Sequence, residues 1–336
     1  MPTSFQRIKK SRAIRALFTG FKRFLSIFLL PQVIVKNFAI ISRAPNRKKI
    51  VVALVEHIGD IVASEPVDRY LKAKNPSAFV IRIVKKRYRE VMQFNPHIDQ
   101  IIEVSCLSEW IYLRFFLRRF GAVEVVDLHV DQRVCFRHYL TLSNPNAAGI
   151  KVNNYFHFGN LLEVFSLTAG LPKLNERPIY HLPENPPPVS VYGNYVVVHA
   201  LSNGESKMWP AEKWNVLAEF VMAQGLHVVE IGLHARIQNN SSMFVDLCGK
   251  LSFTEIACMI KQSKLFIGID SSFAHFANAL NVKNMLILLG DLHDFGDYVP
   301  YSGLSESQIK DAIIRHRGPL RDLPVDVVID RVKLKL

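Results

Sequence analysis

The chain has 336 residues, 49% of them hydrophobic and 21% charged, which excludes global disorder and suits two domains of ordinary size better than one small module. Its formal net charge of +13 is uneven: residues 1–49 carry twelve Lys or Arg and no acid, the first acid is Glu56, and the remainder holds 30 bases against 29 acids. That nearly neutral body excludes the usual strongly basic nucleic-acid binder and assigns the basicity to an N-terminal extension.

Residues 12–29 fit an amphipathic helix. Ile14, Leu17, Phe18, Phe21, Phe24, Leu25, Phe28 and Leu29 share one broad face, and Arg12, Arg15, Lys22 and Arg23 the other. The pattern suits a helix lying in a lipid interface with its bases toward anionic headgroups. A helix packed on the protein's own core and a targeting sequence are the alternatives. No apolar run reaches the roughly 18–20 residues that span a bilayer, and the best stretch, Phe24 to Ile41, is broken by Pro31 and Lys36.

From Lys49 an α/β rhythm begins. Lys49–Val55 reads as a strand, Gly59-Asp60 as a turn, Ile61 to Lys74 as a helix ended by Asn75-Pro76, and Phe79–Val84 and Val123–Leu128 as further strands. The proline-rich segment 183–194 reads as a linker and a hinge. The rhythm then restarts: strands at Tyr195–His199, Leu226–Ile231, Leu265–Ile269 and Met285–Leu289 alternate with helices at Glu212–Gln224, Thr254–Gln262 and Phe273–Leu280. Ser305 and Gln308 have capping-box spacing and open a helix expected to run to about Arg317. These elements predict two doubly wound parallel sheets. The expected division is an extension (1–48), a first domain (49–182), a second domain (183–304) and a C-terminal helix and tail (305–336). Cys106, Cys135, Cys248 and Cys258 form no CxxC pair, which predicts a reducing compartment with neither a zinc site nor disulfides.

Ligands of open α/β sheets sit beyond the carboxyl ends of the strands, so residues just after strands carry the functional information. Glu56-His57-Ile58-Gly59-Asp60 places a carboxylate there, where it either acts on a ligand or simply caps the helix. The loop His199 to Pro210 offers Ser202 and a lone Lys207, able to reach an anion or merely to be solvated, while Trp209 and Trp214 read as packing residues. Asp270-Ser271-Ser272 ends a strand and opens a helix, with His275 one turn in. Free N–H groups, hydroxyls and the helix dipole suit a phosphate there, the alternative being an ordinary serine cap.

The run Leu251 to Gly290, with Glu255, Gly268, Asp270, Ser271, Ser272, His275, Ala277, Ala279 and Leu280, resembles the signature of glycosyltransferase family 9, the lipopolysaccharide heptosyltransferases. Lys207, Trp209, Pro210 and Trp214 resemble that family's K-x-W-P segment; the opening strand through Gly59-Asp60, Pro66 and Pro76, and Asn95-Pro96-His97-Ile98-Asp99, resemble its N-terminal motifs. The resemblance implies a GT-B architecture, two Rossmann-like domains facing a cleft, with the final helix crossing back to the first domain. It implies inverting transfer of a sugar, heptose from an ADP-activated donor, to a lipid-linked core glycan, with no obligatory metal or other cofactor. Other nucleotide sugars for O-antigen or capsule, a sugar-nucleotide epimerase, and a non-catalytic nucleotide- or lipid-binding member of the fold are the competing readings. In the implied roles, Asp60 is the base, Lys207 offsets the leaving diphosphate, Ser202, Ser271 and Ser272 cradle it, and Asp270 and His275 assist. Lys85, Lys86, Arg87, Arg114, Arg118 and Arg119 are candidate contacts to an acidic acceptor or a solvated basic face. Expected partners are the donor, the acceptor and a membrane surface, not nucleic acid, which implies a cytoplasmic location on the inner face of the membrane. Two departures stand out: Ser271-Ser272 replaces the family's Thr-Gly, and Leu233-His234-Ala235-Arg236 holds no acid for a ribose.

Overall fold

The computed structural model describes residues 20–21, 24, 31–188, 193–202, 204–290 and 297–336. In the first half, α1 (Pro31–Arg43) precedes β1 (Lys49–Ala53). Helices α2 (Ile58–Ala63) and α3 (Glu65–Lys74) lead to β2 (Phe79–Lys85), and a 3₁₀ turn (Lys86–Val91) leads to β3 (Gln100–Val104). Helix α4 (Leu107–Phe120) returns to β4 (Glu124–Asp127), and α5 (Leu161–Thr168) completes the half. All pairings are parallel, in the order β3-β2-β1-β4.

The strands are apolar on both faces, as a sheet covered on both sides requires. Val51, Ala53, Ile81, Ile83, Ile102 and Val104 pack beneath α1 and α4. Ile50, Val52, Val80 and Val126 pack beneath α3 and α5, against Val67, Leu71, Leu162 and Phe165. Each fully buried aliphatic side chain stabilises the fold by about 1.5–3 kcal/mol relative to exposure.

In the second half β5 (Tyr195–His199), α6 (Ala211–Ala223), β6 (His227–Glu230), β7 (Phe244–Asp246), α7 (Phe253–Gln262), β8 (Leu265–Ile269), α8 (Ser272–Ala279) and β9 (Met285–Gly290) are followed by α9 (Glu306–Ala312), β10 (Ile313–His316) and α10 (Val325–Lys333). The parallel sheet runs β10-β9-β8-β5-β6-β7. Trp209 and Trp214 meet edge to face at 5.0 Å in the core on the α6 side, so both are packing residues as expected.

Several expectations are corrected. The helix expected from Ile61 to Lys74 is broken at Ser64, because Pro66 has no N–H to continue the ladder from α2. The helix opened by Ser305 stops at Ala312, and the chain to His316 becomes β10, an edge strand paired to β9. The tail does not cross back to the first half: Leu320, Leu323, Val328 and Val332 are buried in the second half's own core. Residues 31–43 are not a separate extension either, since Ile34 and Ile41 are buried in the first core beside α4. Most of the amphipathic segment 12–29 lies outside the described residues. Among the described residues no helix is long and apolar enough to cross a membrane.

Candidate active site

Each sheet has one place where the chain leaves neighbouring strands in opposite directions: between β1 and β4, and between β5 and β8. Such switch points open a crevice at the carboxyl edge. At the second, His199 ends β5 and Ser271 follows β8, and His199 Nδ1 lies 2.8 Å from Ser271 Oγ. Burial pushes the His199 imidazole down to about 3, so it is neutral.

That contact decides between the two readings of Ser271. It occupies the N-cap position of α8, yet its side chain makes no capping bond. Ser252 and Ser305 show the contrast: their hydroxyls accept from Glu255 N and Gln308 N and close the first turns of α7 and α9. With its hydroxyl committed to His199, Ser271 leaves the first N–H groups of α8 without a side-chain cap, at the positive end of the helix dipole. Ser272, half-buried, is the first residue of that turn.

Lys207 reaches the same edge from a short 3₁₀ turn, Glu205–Lys207. Its Nζ lies 2.5 Å from Asp270 Oδ2, and Tyr301 donates its hydroxyl to Asp270 Oδ1 at 3.1 Å. Asp270 is thus held through both oxygens, and it holds the lysine. His275 is buried with its ring 4.8 Å from that of Tyr301, and its Nδ1 has no hydrogen-bond partner. Burial lowers its pKa, opposed by the nearby carboxylates of Asp270 and Asp60.

The first half brings Asp60 to this cluster. Asp60 is the third residue of α2, and its Oδ2 accepts a 3.3 Å bond from His57 N. Gly59 is not in the left-handed region, so a sharp turn is not what requires it. A Cβ at Gly59 would stand 2.9 Å from His275 Cδ2 and 3.3 Å from Ser272 Cα: the glycine lets α2 lie directly on α8. The halves also meet where Thr254 N donates to Glu90 Oε1 at 2.7 Å and Leu161 N to Pro300 O at 3.2 Å.

Of the other expected residues, Ser202 stays in the Lys207 loop, its Oγ accepting from Gly204 N at 3.3 Å. Lys85, half-buried at the end of β2, has its pKa lowered by burial, with Glu56 opposing. Lys86 and Arg87 are exposed beside it, Arg87 stacked 4.5 Å over the Tyr88 ring. Arg114 is a correction. It is buried, donating to Asp127 Oδ2 at 2.7 Å, Asn144 Oδ1 at 3.1 Å and Ser143 O at 2.7 Å, so its guanidinium is spent on the fold. Arg118 and Arg119 are exposed on the last turn of α4, the end that leads away from the strand tips toward the start of β4, so they do not face the cleft. Glu230, at the end of β6, has both oxygens engaged by Arg236 N and Ile237 N. Burial raises it to about 7, and it shapes the acid-free loop after Gly232.

Sequence reasoning missed the tyrosines. Tyr155 from the first half and Tyr298 from the second meet edge to face at 6.0 Å, and the charges of both Asp60 and Asp270 act on each of them. No spacing in the sequence signals them, because they lie in irregular segments. It also treated the cysteines as isolated, whereas Cys106, Cys135 and His138 converge; the C-x-x-H spacing of the last two was the available signal.

Known proteins resemble the chain in part of its sequence and in its fold. The model of glycosyltransferase family 9 (heptosyltransferase) matches residues 176–289. Lipopolysaccharide heptosyltransferase 3 of Escherichia coli is 30% identical over 98 residues, a match that takes in 26% of this chain and spans 29% of that protein's length. Among solved structures, a family 9 glycosyl transferase from Veillonella parvula superposes with a TM-score of 0.63 at 16% identity, over 86% of this chain and 97% of that one. E. coli ADP-heptose lipopolysaccharide heptosyltransferase II gives 0.59 at 16% identity, over 86% and 98%. E. coli heptosyltransferase WaaC, solved with ADP, gives 0.56 at 14%, over 86% and 100%. At these identities the solved structures establish the fold, which is the GT-B arrangement that the sequence implied.

Proposed function

We propose that this chain belongs to glycosyltransferase family 9 and is an inverting, metal-independent glycosyltransferase. It moves heptose from an ADP-activated donor to a lipid-linked lipopolysaccharide core acceptor. The observation that carries the reading is the uncapped first turn of α8 beside Lys207, faced from the other half by Asp60.

The donor diphosphate lies at the N-terminus of α8, where N–H groups and the dipole favour an anion. Lys207 then shares its charge between Asp270 and the phosphates, and Asp270, fixed by Tyr301, keeps the lysine extended toward them. The acceptor hydroxyl enters from the first half. As its oxygen bonds to the anomeric carbon, the bond from that carbon to the phosphate oxygen breaks. The hydroxyl proton passes to the Asp60 carboxylate, and the new charge on the diphosphate is met by Lys207 and the helix terminus. Attack opposite the leaving group inverts the centre. Neutral His199 holds Ser271 away from the cap, keeping the anion cradle open. Lys85, Lys86 and Arg87, at the carboxyl end of β2, are the bases placed to meet acidic groups of the acceptor.

The nucleotide is the variable that the site constrains least, because the loop after Gly232 offers no acid to a ribose. A thermal-shift screen of ADP, UDP, GDP and CMP with their sugars tests it, since only a ligand that prefers the folded state raises the midpoint. Stabilisation by ADP species supports the reading; stabilisation by UDP species alone replaces the donor. Asp60→Ala should abolish transfer while leaving nucleotide affinity within a few-fold. Near-normal turnover in that variant would remove the base.

A further inference from the structure

Away from the proposed transfer chemistry, three metal-ligating side chains converge. Cys106, Cys135 and His138 bring their sulfur and ring-nitrogen atoms within 4.8 Å of one another, and all three are buried. Two elements supply them. Cys106 stands at the N-cap of α4 in extended backbone (φ −159°, ψ 170°) and makes no capping bond with its side chain. Its sulfur therefore sits at the N-terminal end of a fourteen-residue helix, free of any capping bond. Cys135 and His138 share a tight turn. Val134 bridges Thr141 across it, Tyr139 N donates to Cys135 O at 2.6 Å, and Cys135 N donates to Leu140 O at 2.8 Å. Tyr139 closes the turn in the left-handed region at φ 57°, an unusual conformation for a bulky residue. The turn aims two side chains, three residues apart, at one point, as the C-x-x-H half of a zinc site does.

The distances fit an ion. A tetrahedral centre with Zn–S of about 2.3 Å and Zn–N of about 2.05 Å has an S···N edge of about 3.6 Å. The separation of Cys106 Sγ and His138 Nδ1 is 3.6 Å. Ser108, on the first turn of α4, has a buried hydroxyl that bears on the Cys135 sulfur. Two thiolates and a neutral imidazole are a soft donor set that balances a divalent charge, and Trp110, Leu113 and Leu142 contribute to a dry surround.

We propose that Cys106, Cys135 and His138 bind one zinc ion, with a water or the Ser108 hydroxyl in the fourth position. The ion fastens the loop 131–142 to the head of α4. That loop carries Arg133, whose Nε lies 3.2 Å from Glu56 Oε1, in the segment that leads from β1 to Asp60. The metal is thus a structural tie behind the first half's contribution to the cleft and takes no part in the transfer step. The proposal stands whether or not the donor is ADP-heptose.

The test is metal content and cobalt spectroscopy on the full chain. Protein purified without chelator from zinc-supplemented medium should carry about one equivalent of zinc by mass spectrometry. After stripping, added Co²⁺ should give the intense ligand-field bands of a tetrahedral site and a thiolate-to-cobalt band. Cys106→Ser and His138→Gln should weaken Co²⁺ binding at least about tenfold. Cys248→Ser and Cys258→Ser should keep it, because those thiols lie outside the cluster. Zinc far below one equivalent together with no thiolate band in the unaltered protein overturns the proposal. So does full binding by Cys106→Ser, or a Cys106–Cys135 disulfide in thiol-trapped protein. Should the variants fail to fold, the two measurements on the unaltered chain decide it alone.

Discussion

Replacing Gly59 by alanine tests the contact on which the site depends. An ideal Cβ there would lie 2.9 Å from His275 Cδ2, where ordinary contact begins near 3.4 Å, so about 0.5 Å has to open between α2 and α8. His275 cannot supply it by swinging aside, because it is 5% exposed and packed against the Tyr301 ring. The backbone of Ser272, 3.3 Å away, limits the escape on the other side. Alanine favours a helix over glycine by up to about 1 kcal/mol, whereas overpacking of this kind costs about 1–3 kcal/mol. The net expectation is a loss of about 1–2 kcal/mol, a fall in Tm of roughly 3–6 °C for a domain of this size. Because Asp60 is the next residue, the same displacement moves the base. A 1 Å misplacement can cost about a hundredfold in rate, so half of that should lower kcat about tenfold with smaller change in donor affinity. Calorimetry and a continuous assay of nucleoside diphosphate release read both quantities. An unchanged kcat with an unchanged or raised Tm would show that α2 and α8 do not bear on one another at this point.

Lys207→Ala should lower turnover by about 10²-fold and weaken donor binding. Its Tm should barely move, because the part-exposed pair with Asp270 contributes no more than about 1 kcal/mol; calorimetry alongside the assay separates the two. His199 should make the fold acid-sensitive. The folded protein keeps it neutral down to about pH 3 while the unfolded chain takes up the proton near 6.5, so stability falls as pH drops through that window, by about 2 kcal/mol at pH 5. His199→Asn should lose that component of the slope in urea titrations at pH 7 and pH 5. Arg82→Met should cost about 3–5 kcal/mol, since it strands Asp68, which is 0% exposed and bonded at 3.1 and 3.2 Å; adding Asp68→Leu should restore most of the loss in the same titrations.

What the sequence discloses here follows the range of the interaction. Strands β5 and β8 are legible residue for residue, because a buried parallel strand is a short β-branched or aromatic run between turn signals. Strand β10 is not, since Ile313–His316 follows a capping box and its apolar pair fits either period; pairing with β9 decides the matter. Lys207, Asp270 and Ser271 are visible as residues just past strands, but that Ser271 turns to His199 rather than to its own helix depends on a partner 72 residues away. Gly59 is visible as a glycine and misread in its reason, which lies on another helix. Arg114 shows the cost of reading charge without depth: an arginine on an amphipathic helix looks solvated until Asp127 arrives from the neighbouring strand.

The direct seating of α2 on α8 has a consequence for engineering. Each half presents its own crevice at its own strand edge, so the recognition loops of one can in principle be exchanged without touching the other. The seam between them has no such freedom: Gly59, Ser272 and His275 mesh at van der Waals distance. Chimeras with related proteins should therefore inherit these three positions from a single parent, and libraries that vary the loops should leave them fixed.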